Sequence, residues 1–317
     1  MRSELVNAAL RVAWQQWTAL GVSGTVAPPD HAIDLEALLL FTPVLQHDDP
    51  RLCDEALDWC VHHAHRLVSI GRLRRLRSAL PDAARDAYDG FAACVNGSAT
   101  PKVTWPTDRA ATKIRTSGKS RPPDLRHLAV LQLRLRCLFG VSARADVLLQ
   151  FLRPLMTQEV SPTMTLTVST FADLGYSKPA IAEVLTDLTM AGLVERWRRG
   201  NRDYYALTHV RALEALVGGA LPATAPTWAT RFRIVADLLS AEAATHEKKP
   251  VVQAVTILKR LEQHHGALER LGVKAPAQAQ TWPELASWAR HALLDERDPA
   301  MDDQPISRWR GHKDARG

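Results

Sequence analysis

The stretch GYSKPAIAEVLTDLTMAGLVERWRRGNRDYYAL, residues 175–207, decides how the chain is read. Gly175 and Tyr176 signal a turn, and Ser177 stands where a helix N-cap is preferred, because its hydroxyl can accept from an unpaired backbone N–H. Pro179 falls in the first helical turn, where a missing N–H costs nothing. Ile181, Val184, Leu185 and Leu188 stand at i, i+3, i+4 and i+7, the spacing of one buried helix face. That helix ends at Gly192. LVERW (193–197) and DYYAL (203–207) then read as two short strands, joined through Arg198-Arg199-Gly200-Asn201-Arg202. Gly200-Asn201 suits the positive φ of a tight hairpin turn.

Working outward, Ser142 caps a helix with Ala145, Leu148, Leu149 and Leu152 as its apolar positions, ending near Pro154. A short helix from about Ser169 to Leu174 precedes the Gly175 turn. The order is helix, helix, tight glycine turn, helix, strand, basic loop, strand. This central region resembles the winged helix-turn-helix domains of bacterial ArsR/MarR-like regulators. Gly175 takes the turn glycine's place, and Leu174, Ile181 and Val184 fall on expected apolar positions. Phe171 departs from the pattern, since a small residue is usual there, so the helix before the turn is expected to be shortened or shifted.

The resemblance implies that the Ser177-capped helix enters the major groove of duplex DNA and that the hairpin touches backbone or minor groove. The hairpin has the chemistry for this: Arg196, Arg198, Arg199 and Arg202, with Asn201, supply four positive charges within seven residues and no acid. On a hairpin, Arg198 to Arg202 are expected to project together toward phosphates. The helix is less well equipped. Its outward positions are Lys178, Pro179, Ala182, Glu183, Thr186 and Asp187. Ser177 and Lys178 can meet a phosphate at the helix N-terminus. Thr186 can touch a base edge and Glu183 can accept from cytosine N4, but no Arg, Asn or Gln offers the commonest bidentate readout.

The remainder is read as mainly α. Helices are expected over 1–97, with Ser3, Asp34 and Asp49 as caps and Leu73, Leu76 and Leu80 marking a fourth helix ringed by arginines. Residues 98–124 read as a basic linker, the winged region covers 125–220, and 224–317 is again helical. Trp228, Phe232, Val235 and Leu239 mark one C-terminal helix. Val251, Val255, Leu258 and Leu268 mark part of another, and Thr281-x-x-Glu284 makes a capping box. The segment 102–136, which includes Lys113, Arg115 and Lys119, carries a net +7 and suits either phosphate contact or plain solvation.

The 317 residues carry a net +6, so everything outside that segment and the hairpin is slightly acidic. No apolar run reaches the roughly 18 residues of a spanning helix. Glu4 and Arg11 interrupt what a signal peptide would need, and a cytoplasmic protein without membrane contact is expected. Cys53, Cys60, Cys94 and Cys137 form no C-x-x-C pair and read as reduced thiols. Asp58, His62 and His65 share a helix face at i, i+4 and i+7, a weak metal-ligand pattern that we do not assign as a site. His264-His265 reads as solvated, and Trp105 and Trp309 stand out as aromatics away from helical core positions.

No nucleophile elbow, P-loop, dinucleotide fingerprint or zinc-protease motif is present, so no enzymatic activity and no cofactor are expected. The expectation is a DNA-binding transcriptional regulator, a homodimer by the two-fold logic of operators, with autorepression implied by the resemblance alone. The alternative is an antitoxin-like or adaptor protein whose main ligand is another protein.

Overall fold

Capping chemistry sets the helices of the N-terminal third. In the computed structural model, which describes residues 4–24, 26–156, 166–279 and 281–295, α1 (Glu4–Ala19) buries Leu10, Ala13 and Trp17. Ser3, the tail after Asp295 and Trp309 lie outside the described residues. α2 (Leu35–Phe41) starts at Asp34, whose carboxylate accepts from the Ala37 N–H at 3.2 Å. α3 (Pro50–His63) starts at Asp49, which accepts from the Leu52 N–H at 3.3 Å. α4 (Ile70–Ser78) and α5 (Asp82–Ser98) follow.

The stretch 99–127 has no regular structure, yet it is a strap rather than a loose linker. Trp105, an outlier on sequence, is 2% exposed and part of the core. Its backbone N–H donates to Asn96 Oδ1 at 2.7 Å. Thr112 N–H donates to the Ala93 carbonyl, and Arg121 N–H to that of Gly21. Gly21 has φ +97°, and a Cβ there would collide with the Arg121 carbonyl, so the crossing needs glycine.

Asp58 pins the far end of the strap. Its carboxylate accepts from Ser117 Oγ (3.1 Å), Gly118 N–H and Ser120 N–H (3.0 Å). Burial alone pushes this carboxyl up, but the hydrogen bonds from Ser120, Gly118 and Ser117 outweigh it and hold the pKa below its usual value. The helix face read as a weak metal pattern is therefore a strap anchor, and His65 falls beyond the end of α3.

The centre of the chain forms its own unit. α6 (Leu131–Phe139) resolves the helix-or-strand ambiguity of LQLRLRC in favour of helix. α7 (Ala143–Met156) is followed by β1 (Leu166–Thr167), a 3-10 helix (Val168–Leu174), α8 (Lys178–Met190), β2 (Val194–Arg199), β3 (Arg202–Leu207) and α9 (Val210–Leu216). The sheet is antiparallel in the order β1-β3-β2, with Leu166 opposite Tyr205 and Arg196 opposite Tyr205 on the other side. β1 was not foreseen; two residues are too few to show a period. The unit has a separate core around Leu148, Phe151, Phe171, Leu185 and Val194.

The C-terminal helices are α10 (Trp228–Ala243), α11 (Pro250–Gln263), α12 (His265–Arg270) and α13 (Trp282–Ala289). Thr281 sits at the N-cap of α13, but its hydroxyl makes no capping hydrogen bond. The described residues of 1–97 and 224–317, segments set apart on sequence, supply one continuous core. Phe41 of α2 stacks on Phe232 of α10 at 4.3 Å, and Trp228 Nε1 donates to the Ala32 carbonyl at 3.0 Å. The described residues before 98 and after 223 thus build one helical body that carries the central unit. Two expectations need correction. α11 buries Ala254, Ile257 and Leu261, leaving Val251 and Val255 exposed. His264 is not solvated: its ring is within 2.9 Å of Asp237 Oδ2 and only 13% exposed.

Candidate nucleic-acid interface

The hairpin is built as its sequence suggests, with Gly200-Asn201 as the two-residue turn between β2 and β3. Cross-strand partners share a face in an antiparallel ladder. One face therefore carries Val194, Arg196 and Arg198 opposite Leu207, Tyr205 and Asp203; the other carries Trp197 and Arg199 opposite Tyr204 and Arg202. Trp197 and Tyr204 stack at 6.2 Å, stiffening the second face. This corrects the expectation of arginines projecting together: successive strand residues alternate in direction, so Arg198 leaves one face while Arg199 and Arg202 leave the other.

Arg196 is also engaged, donating to Asp203 Oδ2 at 2.8 Å, and this partner raises its pKa. Arg198 Nε reaches only its own turn, at the Gly200 carbonyl. Arg198, Arg199, Asn201 and Arg202 are exposed, and among the described residues none of the three arginines has an acidic partner. The tip is thus a three-cation prong with faces on both sides.

α8 presents its N-terminus and one side to solvent. Ser177 Oγ accepts from the Ala180 N–H at 3.3 Å as the foreseen N-cap, and Lys178, Glu183 and Thr186 are exposed. Thr186 Oγ1 donates back to the Ala182 carbonyl at 2.9 Å. Asp187 faces outward only in part: it is half-buried and accepts from Arg144 of α7 at 2.7 Å. Met190, at 77% exposure, ends the face on an apolar side chain.

The basic segment 102–136 is neutralised in part, three of its nine cations having acidic partners. Arg109 pairs with Asp86, Arg126 with Asp124, and Arg136 is buried. Lys113, Arg115 and Lys119 remain exposed, but their strap is fastened to α1, α3 and α5 of the helical body.

No protein-family model matches this chain, and no curated protein or solved structure does.

Sequence reasoning missed the junction that holds the hairpin unit in place. Arg72 of α4 and Arg136 of α6 are 2% and 1% exposed. Arg72 grips Asp34 through two contacts of 2.5 Å and Glu36 at 2.6 Å, while its Nε donates to the Leu174 carbonyl at 2.6 Å. Arg136 bridges Glu36 (2.6 and 2.8 Å) and Asp146 (3.0 Å). Tyr176 OH donates to Asp146 at 2.5 Å, and Gln132 links Asp146 to the first turn of α2. Burial pushes the Asp146 carboxyl up, but Arg136 and Arg72 more than reverse this and hold it low. The Tyr176 phenol is driven well above its usual value by burial and by Asp146.

Leu174 and Tyr176 flank Gly175, so this network clamps the turn before α8. Gly175 has φ +77°, and a Cβ there would stand 2.8 Å from Leu76 Cδ2 and 3.3 Å from Arg72 Cγ. The turn thus lies directly on α4. Phe171, the departure from pattern, is fully buried in a 3-10 turn in place of an α-helix. Among the described residues no group of three or more His, Cys, Asp or Glu is arranged to hold a metal ion.

Proposed function

We propose that this protein binds double-stranded DNA as a transcriptional regulator, through a winged helix-turn-helix spanning its central unit. The observation that carries the reading is an element order and a charge found together. A helix, a short strand, a glycine-turned helix pair and a two-stranded hairpin follow in sequence, and the hairpin ends in three arginines without acidic partners among the described residues. A tip of this kind suits a row of phosphates or a narrow minor groove, where cations gain by displacing condensed counterions.

In this reading α8 lies in the major groove with Ser177 and Lys178 at a backbone phosphate, and Thr186 and Glu183 are the side chains in reach of base edges. Its sparse readout chemistry implies modest sequence discrimination, with affinity dominated by Arg198, Arg199 and Arg202. Binding as a homodimer to a two-fold site, and repression of the protein's own promoter, are parts of the same proposal. The test is a footprint on the DNA upstream of the coding gene, with anisotropy titrations of that fragment. Protection that weakens when the three tip arginines become alanine supports the reading, and equal protection by the variant removes the hairpin from it.

A second reading, a protein-binding adaptor or antitoxin-like partner, is favoured by one observation. Val251, Val252 and Val255 of α11 are 63%, 47% and 45% exposed on a single helix, more apolar surface than a solvated helix face needs. Stoichiometric co-purification of a partner, lost when Val251 and Val255 become lysine, distinguishes it. Among the described residues no helix is long and apolar enough to cross a membrane.

A further inference from the structure

A cavity of about 440 Å³ lies where the two cores meet, between α2, α4, α10 and the residues leading into α8. Its floor is apolar: Phe41 and Phe232, stacked at 4.3 Å with a 6° interplanar angle, together with Leu76. Two cations line it, Arg75 and Arg233. Arg233 is half-buried, and its Nε is buried without a hydrogen-bond partner among the described residues. Burial, with Arg270 nearby, holds its guanidinium pKa below the ordinary value, and the opposing pull of Asp173 and Asp237 does not make up the difference.

The nearest acid on the wall, Asp173, is already engaged by Arg270 through two contacts of 2.8 and 3.0 Å. Arg75 is exposed and has no ion pair among the described residues. The cavity therefore combines an aromatic floor, two cations that form no ion pair among the described residues, and one acid already held by Arg270. An orphaned buried donor is costly unless something occupies it.

We propose that this cavity is a binding site for a small organic acid, with an aromatic or medium-chain apolar body on Phe41, Phe232 and Leu76 and its carboxylate on Arg233 and Arg75. Neutral ligands of the same shape leave the Arg233 charge unpaired. Dianions of phosphate type lack the apolar body that the floor requires. Volumes of this order are those of small-molecule sites with few, placed polar groups. Asp173 and Gly175 belong both to the cavity wall and to the turn before α8, so a bound acid adjusts the seat of that helix. This consequence for DNA rests on the function proposed above; the binding site itself does not.

The test is calorimetry on the full chain with 2-naphthoate and octanoate, each beside its primary amide. The expected result is saturable binding of at least one acid, about tenfold or more tighter than its amide, as a charge-assisted hydrogen bond implies. Arg233→Gln is expected to lose about tenfold. Arg75→Gln, at an exposed position that leaves the core intact, is expected to lose severalfold. Absence of saturable binding by both acids, equal binding of acid and amide, or indifference to both substitutions overturns the site. Anisotropy on the upstream DNA with and without the bound acid separates the two claims. Acid binding with no DNA affinity at all sinks the regulator reading and leaves the cavity assignment standing.

Discussion

Arginine is used in two opposite ways in this molecule. At the junction, Arg72 and Arg136 are almost fully buried and share Asp34, Glu36 and Asp146. At the hairpin tip, Arg198, Arg199 and Arg202 stand in solvent, without acidic partners among the described residues. The first set holds the turn before α8 against the helical body; the second is available to an outside anion. A count of arginines cannot tell these apart, because a buried, paired arginine and an exposed, unpaired one each add the same single positive charge. What separates them is the cost of desolvation, which only a paired, hydrogen-bonded cation can bear.

The widest gap between the two regions is expected in stability. Arg136→Met leaves Glu36 and Asp146 buried with too little positive charge, and is expected to lower unfolding free energy by about 3–5 kcal/mol in urea titrations. Arg199→Ala with Arg202→Ala is expected to stay within about 0.5 kcal/mol of the parent, as exposed substitutions do. Equal losses in both would erase the distinction.

The next effect is in the strap. Asp58→Asn removes a carboxylate that accepts three hydrogen bonds, and a loss of about 2–3 kcal/mol is expected. Its most direct readout is faster proteolysis of 99–120 with the junction undisturbed.

Acid sharpens the same contrast. Asp58 and Asp146 both have pKa values lowered in the fold. Their contribution is complete above the ordinary Asp value near 4 and is lost as pH falls through the lower folded values. Tryptophan fluorescence across pH 5 to 2 is expected to show stability declining. The Asp58→Asn variant should show a shallower decline, since one of the two groups no longer titrates. A profile identical to the parent's contradicts the assignment of Asp58.

A smaller change lies at the turn itself. Gly175→Ala puts a Cβ against Leu76 at a positive φ, and a cost of about 1–3 kcal/mol is expected from strain and displacement together. If α8 is seated through this turn, the variant also weakens DNA binding, whereas alanine at Gly200, away from the junction, does not disturb α8.

The central elements were legible because their signals are local. Ser177, Pro179, the Ile181–Leu188 spacing and Gly200-Asn201 fix a cap, a helix face and a hairpin turn within a few residues of each other. β1 was invisible because Leu166 and Thr167 earn strand geometry only by pairing with Tyr204 and Tyr205, far along the chain. The junction was hidden for the same reason. Periodicity identifies a buried face but not its partner, so Arg72 looked like one more surface arginine, although 102 residues separate it from Leu174. The shared core of 1–97 and 224–317 likewise rests on contacts such as Phe41 with Phe232 that no local pattern encodes. Alternation along β2 was readable in principle, and would have split the arginine tip between two faces.

The most direct test of the tip as a phosphate-binding element is the slope of log affinity against log salt for duplex DNA, measured on the parent and on the Arg198→Ala, Arg199→Ala, Arg202→Ala triple variant. Each phosphate neutralised contributes about −0.9 to that slope, so the variant is expected to be shallower by about 2 to 3 with its melting temperature unchanged. An identical slope in parent and variant would contradict the account.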